Sequence, residues 1–364
     1  MLLSLLQFVV YISLLLTCVI VVFYAERKVS AFIQDRFGPM EAGKYGVLQA
    51  IADLLKMIQK EDIVPSKADA ILFKTAPFVI FAAVMAGIAL IPIFPDSFVG
   101  NSHVGVFLIM AIVSIDIIGM LMAGWGSNSK YALFGALRSV AQIISFEIPL
   151  GLSILAVVMT CQTLDLYEIA FQQTYLAGTP QYLFGIKALG IETTQWGGIF
   201  AWNILRSPVL LFSYVIYFIA TMAECNRAPF DIPEAESELV AGFHVEYSGF
   251  RFAIFFLAEY GMMLLVTLLG AILFLGAWTS PLPNIGSVRL SDWTSGAPGT
   301  LLGNVLGVFW LLSKAVLVMV SHVWIRWTVP RLRVDQLMSL CWKYLTPFGI
   351  ATMMIAGVWR LLGC

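Results

Sequence analysis

Charge is what this sequence has least of. Asp, Glu, Lys and Arg make up 12% of its 364 residues, against 60% apolar residues and a mean hydropathy of +0.90. A soluble domain carries about twice that charged fraction. Too few charges exist to cover a hydrated surface, so the apolar excess is expected to face lipid. Cysteine is scarce as well: Cys18, Cys161, Cys225, Cys341 and Cys364 stand singly, with no CxxC pair and no Cys–His cluster. An odd, scattered set writes neither a disulfide framework nor a metal or iron–sulfur site, so any electrons used must come from another chain. No glycine-rich nucleotide motif follows a strand. The 21 basic residues, set against 22 acidic ones, form no stripe for nucleic acid.

What the sequence has in abundance is long apolar runs. A helix needs about 20 apolar residues to cross a bilayer, and eight runs qualify, at 1–24, 75–95, 104–124, 139–161, 200–223, 252–277, 301–324 and 339–359. They predict an all-α integral membrane protein, a single polytopic domain over 1–364. The first run, Met1–Tyr24, lacks the basic leader and cleavage signal of a signal peptide and reads as a retained helix. An even count puts both termini on one side. Sixteen of the 21 Lys and Arg fall in or beside the connections at about 25–74, 125–138, 224–251 and 325–338. Basic loops stay in the cytoplasm, so both termini are expected outside, in a bacterial inner membrane or, as the alternative, an organellar energy membrane.

One connection contains a helix of another kind. Over Gly46–Ile63, Val47, Leu48, Ile51, Leu54, Leu55 and Ile58 recur at helical spacing, with Gln49, Asp53, Lys56 and Lys60 between them. This predicts an amphipathic helix of about 18 residues, seated on lipid or on another subunit.

Ionisable residues inside apolar runs cost a few kcal/mol and mark pairing, water or function. Asp116, Glu147, Glu259 and Lys314 are such residues. Pro149 cannot donate to the Ser145 carbonyl, which loosens the helix beside Glu147. The segment Ala223–Gly249 gathers Glu224, Asp231, Glu234, Glu236, Glu238 and Glu246 around Arg227, alternating with Pro229, Phe230, Ile232, Leu239 and Phe243. Half apolar, it is expected to lie buried between helices, where several carboxylates cannot all stay ionised.

With these residues in view, the chain resembles the quinone-site membrane subunits of respiratory complex I, known as the H-type subunit in bacteria and as NADH dehydrogenase subunit 1 in mitochondria. The likeness rests on Glu26–Pro39 (ERKVSAFIQDRFGP), Gly46–Pro65, Gly135–Pro149 (GALRSVAQIISFEIP), Glu224–Gly249 and Ile325–Gln336 (IRWTVPRLRVDQ). It implies a membrane subunit of a proton-translocating NADH:quinone oxidoreductase, an enzyme whose complete active site is not in this chain. Quinone would be the substrate, with no metal or nucleotide bound here. The implied partners are hydrophilic quinone-site and iron–sulfur subunits, antiporter-like membrane subunits and lipid. By matching position, Arg27, Arg36, Asp53 and Lys56 would stand near the quinone chamber. Glu147, Glu224, Asp231, Glu234, Glu236, Glu238, Glu246 and Glu259, with Asp116, would couple quinone reduction to proton movement.

Two other readings compete. A homologous anchor subunit of energy-converting hydrogenases shares parts of the pattern. A stand-alone ion transporter would also hold internal acids, but it predicts inverted repeats with paired broken helices, and none is visible.

Overall fold

The structure is a computed structural model that describes residues 2–96, 102–174, 176, 181–186, 190, 192–232, 239–284 and 289–362, with side chains from Val9 onward. The helices are α1 (Leu2–Ile33), α2 (Gln49–Gln59), α3 (Ala70–Ala89), α4 (Gly105–Val113), α5 (Ile115–Gly126), α6 (Lys130–Cys161), α7 (Leu166–Gln172), α8 (Pro208–Glu224), α9 (Gly249–Leu273), α10 (Leu301–Thr328), α11 (Val334–Ser339) and α12 (Thr346–Leu361). Among the described residues, six helical units are long and apolar enough to cross a membrane: α1, α3, α4 with α5, α6, α9 and α10. The 17-residue apolar α8, and α12 joined to α11 through a π-helical turn at Leu340–Leu345, account for the other two apolar runs.

Local chemistry fixes the helix ends. Asp69 caps α3 by accepting from the Ile71 and Leu72 amides, and Thr300 caps α10 by accepting from Gly303. Pro208 begins α8 behind the Ser207 cap. The final π turn has a covalent cause: Pro347 offers no N–H to the preceding turn, and the Thr346 hydroxyl donates to the Cys341 carbonyl at 2.9 Å. Pro149 leaves the Ser145 carbonyl without its helical donor, as the sequence predicts. The Cys341 thiol fills that place from the neighbouring helix, donating to Ser145 O at 2.9 Å.

The bundle is built around α9, which is enclosed along most of its length. It packs on α3 and α10, α3 packs on α5, and α6 packs on α5, α8 and α12. Gly135 matters most for the site. A Cβ there would lie 2.8 Å from the Gly242 backbone, so the missing side chain lets the Gly242–His244 turn rest directly on α6.

Three boundaries differ from the sequence reading. Helix α1 runs on to Ile33, carrying Glu26, Arg27 and Lys28 on the helix instead of in a loop. Helix α6 begins at Lys130, which shortens the 125–138 connection. The amphipathic helix spans 11 residues instead of 18. The backbone before it turns through positive φ at Gly43, Tyr45 and Gly46, and Lys60 is extended after it. Its apolar face is exposed in this chain, with Ile51, Leu54, Leu55 and Ile58 all uncovered.

Candidate functional site

The basic connections meet at one end of the bundle. Arg251 pairs with Asp62 at 2.9 Å, Arg331 with Asp231 at 2.5 Å, and Asn128 donates to the Lys67 carbonyl at 2.9 Å. Just inside this end, three segments converge on Glu26 of α1. Tyr260 on α9 donates to its carboxylate at 2.7 Å, Arg227 from the loop after α8 donates at 3.3 Å, and Arg326 on α10 donates as well. The other carboxylate of the set, Glu259, lies 2.9 Å from Arg227 Nε. Burial works against the Arg227 charge. Glu259, Tyr260 and Glu26 outweigh it and hold the guanidinium above its ordinary value. Two acids and two bases therefore form a set whose formal charges balance, with Glu26 and Arg227 buried and Glu259 and Arg326 half-buried.

Of the cavities that adjoin this set, three share walls with one another. The first, about 400 Å³, is lined mainly by apolar residues of α1, α2 and α9, including Val19, Phe23, Leu54, Met57, Phe252 and Leu257, with Arg27, Asp53 and Lys56 among them. Arg27 pairs with Asp53 at 2.6 Å and stacks on Phe23 with its guanidinium carbon 4.2 Å from the ring centre. The second, about 460 Å³, is polar. Its wall holds Glu26, Arg36, Arg227, Glu259, Tyr260 and Arg326, and it shares Phe23, Arg27, Phe252, Phe256 and Tyr260 with the first. The third, about 40 Å³, is lined by Asp116, Glu224, Asn226, Phe243 and Phe255 and shares His244, Phe256 and Glu259 with the second. It has room for water. Asp116 Oδ1 and Glu224 Oε2 have no hydrogen-bond partner among the described residues. Glu147 and Asp116 both lie close enough to Glu224 for their charges to interact, and Glu147 is in hydrogen-bond contact with the Ser114 hydroxyl.

Gln142 on α6 sets the loop that carries Arg227. Its amide donates to the carbonyls of Ala223 and Phe230, each at 2.8 Å, and to Asn226 at 3.2 Å. Burial pushes the His244 imidazole down to about 4, so it is neutral at physiological pH. It likewise lifts the Asp231 carboxyl above its usual range, a shift that the Arg331 partner only partly offsets.

Of the residues singled out from sequence, Arg27, Asp53 and Lys56 line the apolar cavity and Arg36 the polar one. Glu259, Asp116 and Glu224 line the third cavity, and Glu147 adjoins Glu224. Asp231 instead pairs with Arg331, and Glu246, half-buried, lines none of the three. Glu234, Glu236 and Glu238 lie outside the described residues. Lys314 stands apart from the acids. It donates to the carbonyls of Ala277 at 3.0 Å and Thr279 at 2.6 Å and lies over Trp202, so it ties α10 to the segment that follows α9. Sequence reasoning missed Glu26, His244, Tyr260 and Arg326. The charged ERK triplet that follows a long apolar run was the available signal for Glu26. Among the described residues, no group of three or more His, Cys, Asp or Glu is placed to hold a metal ion.

Comparison with known proteins bears on this arrangement. A sequence profile described as NADH dehydrogenase matches residues 6–357. An H-type subunit of NADH-quinone oxidoreductase from Cytophaga hutchinsonii is 56% identical over 352 residues, covering 96% of each chain. The H-type subunits of NADH-quinone oxidoreductase from Chlorobium luteolum and Chlorobaculum parvum are 49% and 48% identical over 93% and 92% of this chain, and 84% and 86% of their own. With the profile matched almost end to end and the first relative alike over nearly its whole length, this chain belongs to the NADH dehydrogenase family of membrane subunits, to which the sequence motifs had pointed.

Proposed function

We propose that this chain, as a subunit of an NADH-quinone oxidoreductase, admits quinone through the apolar cavity, holds the quinone head in the polar one, and passes the resulting charge change to the acids behind it. The single observation that carries the reading is the sharing of walls: the apolar cavity adjoins the polar one through Phe23, Arg27, Phe252, Phe256 and Tyr260, and the polar one adjoins the acid-lined one through His244, Phe256 and Glu259. A quinone tail needs an apolar slot, which Val19, Leu54, Met57 and Leu257 supply. The head needs donors and a source of two protons for each two electrons, and Tyr260, Arg36 and the Glu26–Arg227–Glu259–Arg326 set stand there. The electrons come from partner subunits that carry iron–sulfur centres and dock at the basic end. Consumption of protons beside Glu259 disturbs a charge-balanced set, and the disturbance reaches Asp116, Glu224 and Glu147 through the water-sized cavity. Antiporter-like partners would receive it from there.

The test places a charge in the apolar wall. Leu54→Asp sets a carboxylate where Leu54 lines the first cavity and a quinone tail needs apolar surface, and is expected to lower quinone reduction about tenfold or more, which corresponds to about 1.4 kcal/mol. Electron transfer from NADH to an artificial soluble acceptor uses none of this wall and is expected to persist in the assembled complex. Equal loss of both activities, or loss of neither, contradicts the assignment.

A further inference from the structure

We propose that Ser114 is a positioning residue whose hydroxyl sets the joint between α4 and α5 according to the protonation of Glu147. The proposal rests on the coupling role assigned above to the membrane acids and deepens it.

Helices α4 and α5 would make one 22-residue span, yet they break at Ser114. Neither proline nor glycine stands at the break, where the sequence reads Val113–Ser114–Ile115–Asp116. The break falls on the serine. Its hydroxyl donates back to the Met110 carbonyl at 3.0 Å, a bond that bends helices. The same oxygen is also in hydrogen-bond contact with Glu147 Oε1 on α6.

A hydroxyl has one proton, so it cannot donate to both neighbours at once. The ionised Glu147 carboxylate only accepts. The Ser114 proton must then turn to it, and the Met110 carbonyl loses its extra donor. When Glu147 is protonated, the acid O–H donates to Ser114 Oγ, and the serine proton returns to Met110. Each change of protonation at Glu147 therefore makes or breaks a bond between the α4–α5 joint and the last turn of α4. No atom is left over in either state, and the proton on Glu147 is the only one gained or lost.

Asp116, two residues beyond the joint, lies in the first turn of α5 and faces the acid-lined cavity. A changed joint repositions it. Among the described residues, Glu224 at the end of α8 also lies close enough for its charge to interact with Glu147. The serine thus orders events: Asp116 moves after Glu147 changes state, not independently of it.

The experiment uses the whole complex in vesicles. Ser114→Ala removes the hydroxyl, Ser114→Thr keeps it, and Ser114→Cys keeps the size with a weaker donor. Infrared difference spectra between oxidised and reduced complex read the carboxylic C=O band of Glu147, identified by its loss in Glu147→Gln. Proton pumping per quinone reduced is measured beside it. The expected result is a shifted Glu147 band and pumping reduced roughly five- to tenfold in Ser114→Ala, the factor carried by one ordinary hydrogen bond. Ser114→Cys should follow Ala, and Ser114→Thr should restore both readouts. An unmoved band with wild-type pumping in Ser114→Ala, or Thr behaving as Ala does, overturns the proposal. If Ser114→Ala does not assemble, Cys against Thr decides by the same two readouts. Wild-type pumping in Glu147→Gln would instead overturn the coupling role of the acids, whereas loss there with an indifferent Ser114→Ala overturns the toggle alone.

Discussion

Replacing Glu26 by Gln removes one charge from a largely buried set whose formal charges otherwise sum to zero. The side chain keeps its shape and a carbonyl oxygen, so the Tyr260 hydroxyl retains an acceptor. Arg227 and Arg326 lose their shared anion, and Glu259 alone remains to balance two guanidinium groups. Removing one partner of a buried ion pair costs about 3–5 kcal/mol. Arg326 is partly open to solvent, with 28% of its side chain exposed, and Gln still accepts, so the low end of that range applies: about 3 kcal/mol. A complex of several subunits does not unfold in one step, so the readout is the half-life of quinone reductase at a fixed elevated temperature, normalised to its starting rate. With about 1.4 kcal/mol per factor of ten, inactivation should quicken between about tenfold and a hundredfold, according to how much of the set breaks before the barrier. Glu26→Gln combined with Arg326→Gln restores neutrality and should recover much of the loss, a coupling that a double-mutant cycle measures. A wild-type half-life in the single variant, or a double variant that loses the sum of both single losses, refutes the reasoning.

Two further outcomes follow from the same end of the bundle. The unfolded chain binds a proton on His244 near pH 6.5, but the folded chain does so only near 4. The His244 contribution to stability is thus complete above pH 6.5 and is lost as pH falls toward 4; proteolysis of the 239–248 loop should quicken between pH 7 and pH 5, and His244→Asn should remove that increment, whereas equal increments in both proteins exclude the assignment. Single cysteines placed at Lys44, Lys130 and Arg331 should resist an impermeant reagent in intact cells, and one at the exposed Trp293 should react; the reverse pattern inverts the orientation inferred from the basic loops.

The sequence displays the membrane helices because lipid demands them locally: each apolar run must satisfy its own backbone within itself, so every run can be read without knowing its neighbours. Pro149 and its orphaned carbonyl are legible for the same reason. The site is legible only where chemistry is conspicuous against an apolar background, as at Asp116, Glu147 and Glu259. Glu26 escaped because its partners stand 201, 234 and 300 residues away, and nothing local distinguishes a glutamate that ends a helix in water from one that continues it under three donors. The helical period of α2 was visible, but its ends were not, since they depend on backbone turns at Gly43 and Gly46 that periodicity does not register. Lys314 was conspicuous in the sequence as a base inside an apolar run, but its partners, the Ala277 and Thr279 carbonyls in the segment after α9, are backbone groups that no side-chain pattern announces.

The thiol that serves the carbonyl freed by Pro149 makes two distant positions historically dependent on one another. A lineage that first exchanges Pro149 for a residue with an N–H restores the ordinary helical bond, and Cys341 is then released to drift. A lineage that loses Cys341 first strands a carbonyl inside the bundle beside Glu147. Substitution at the two sites is therefore epistatic and has a direction, with proline the one to leave first. Descendants holding the proline without the thiol should be found only where some other donor has taken its place.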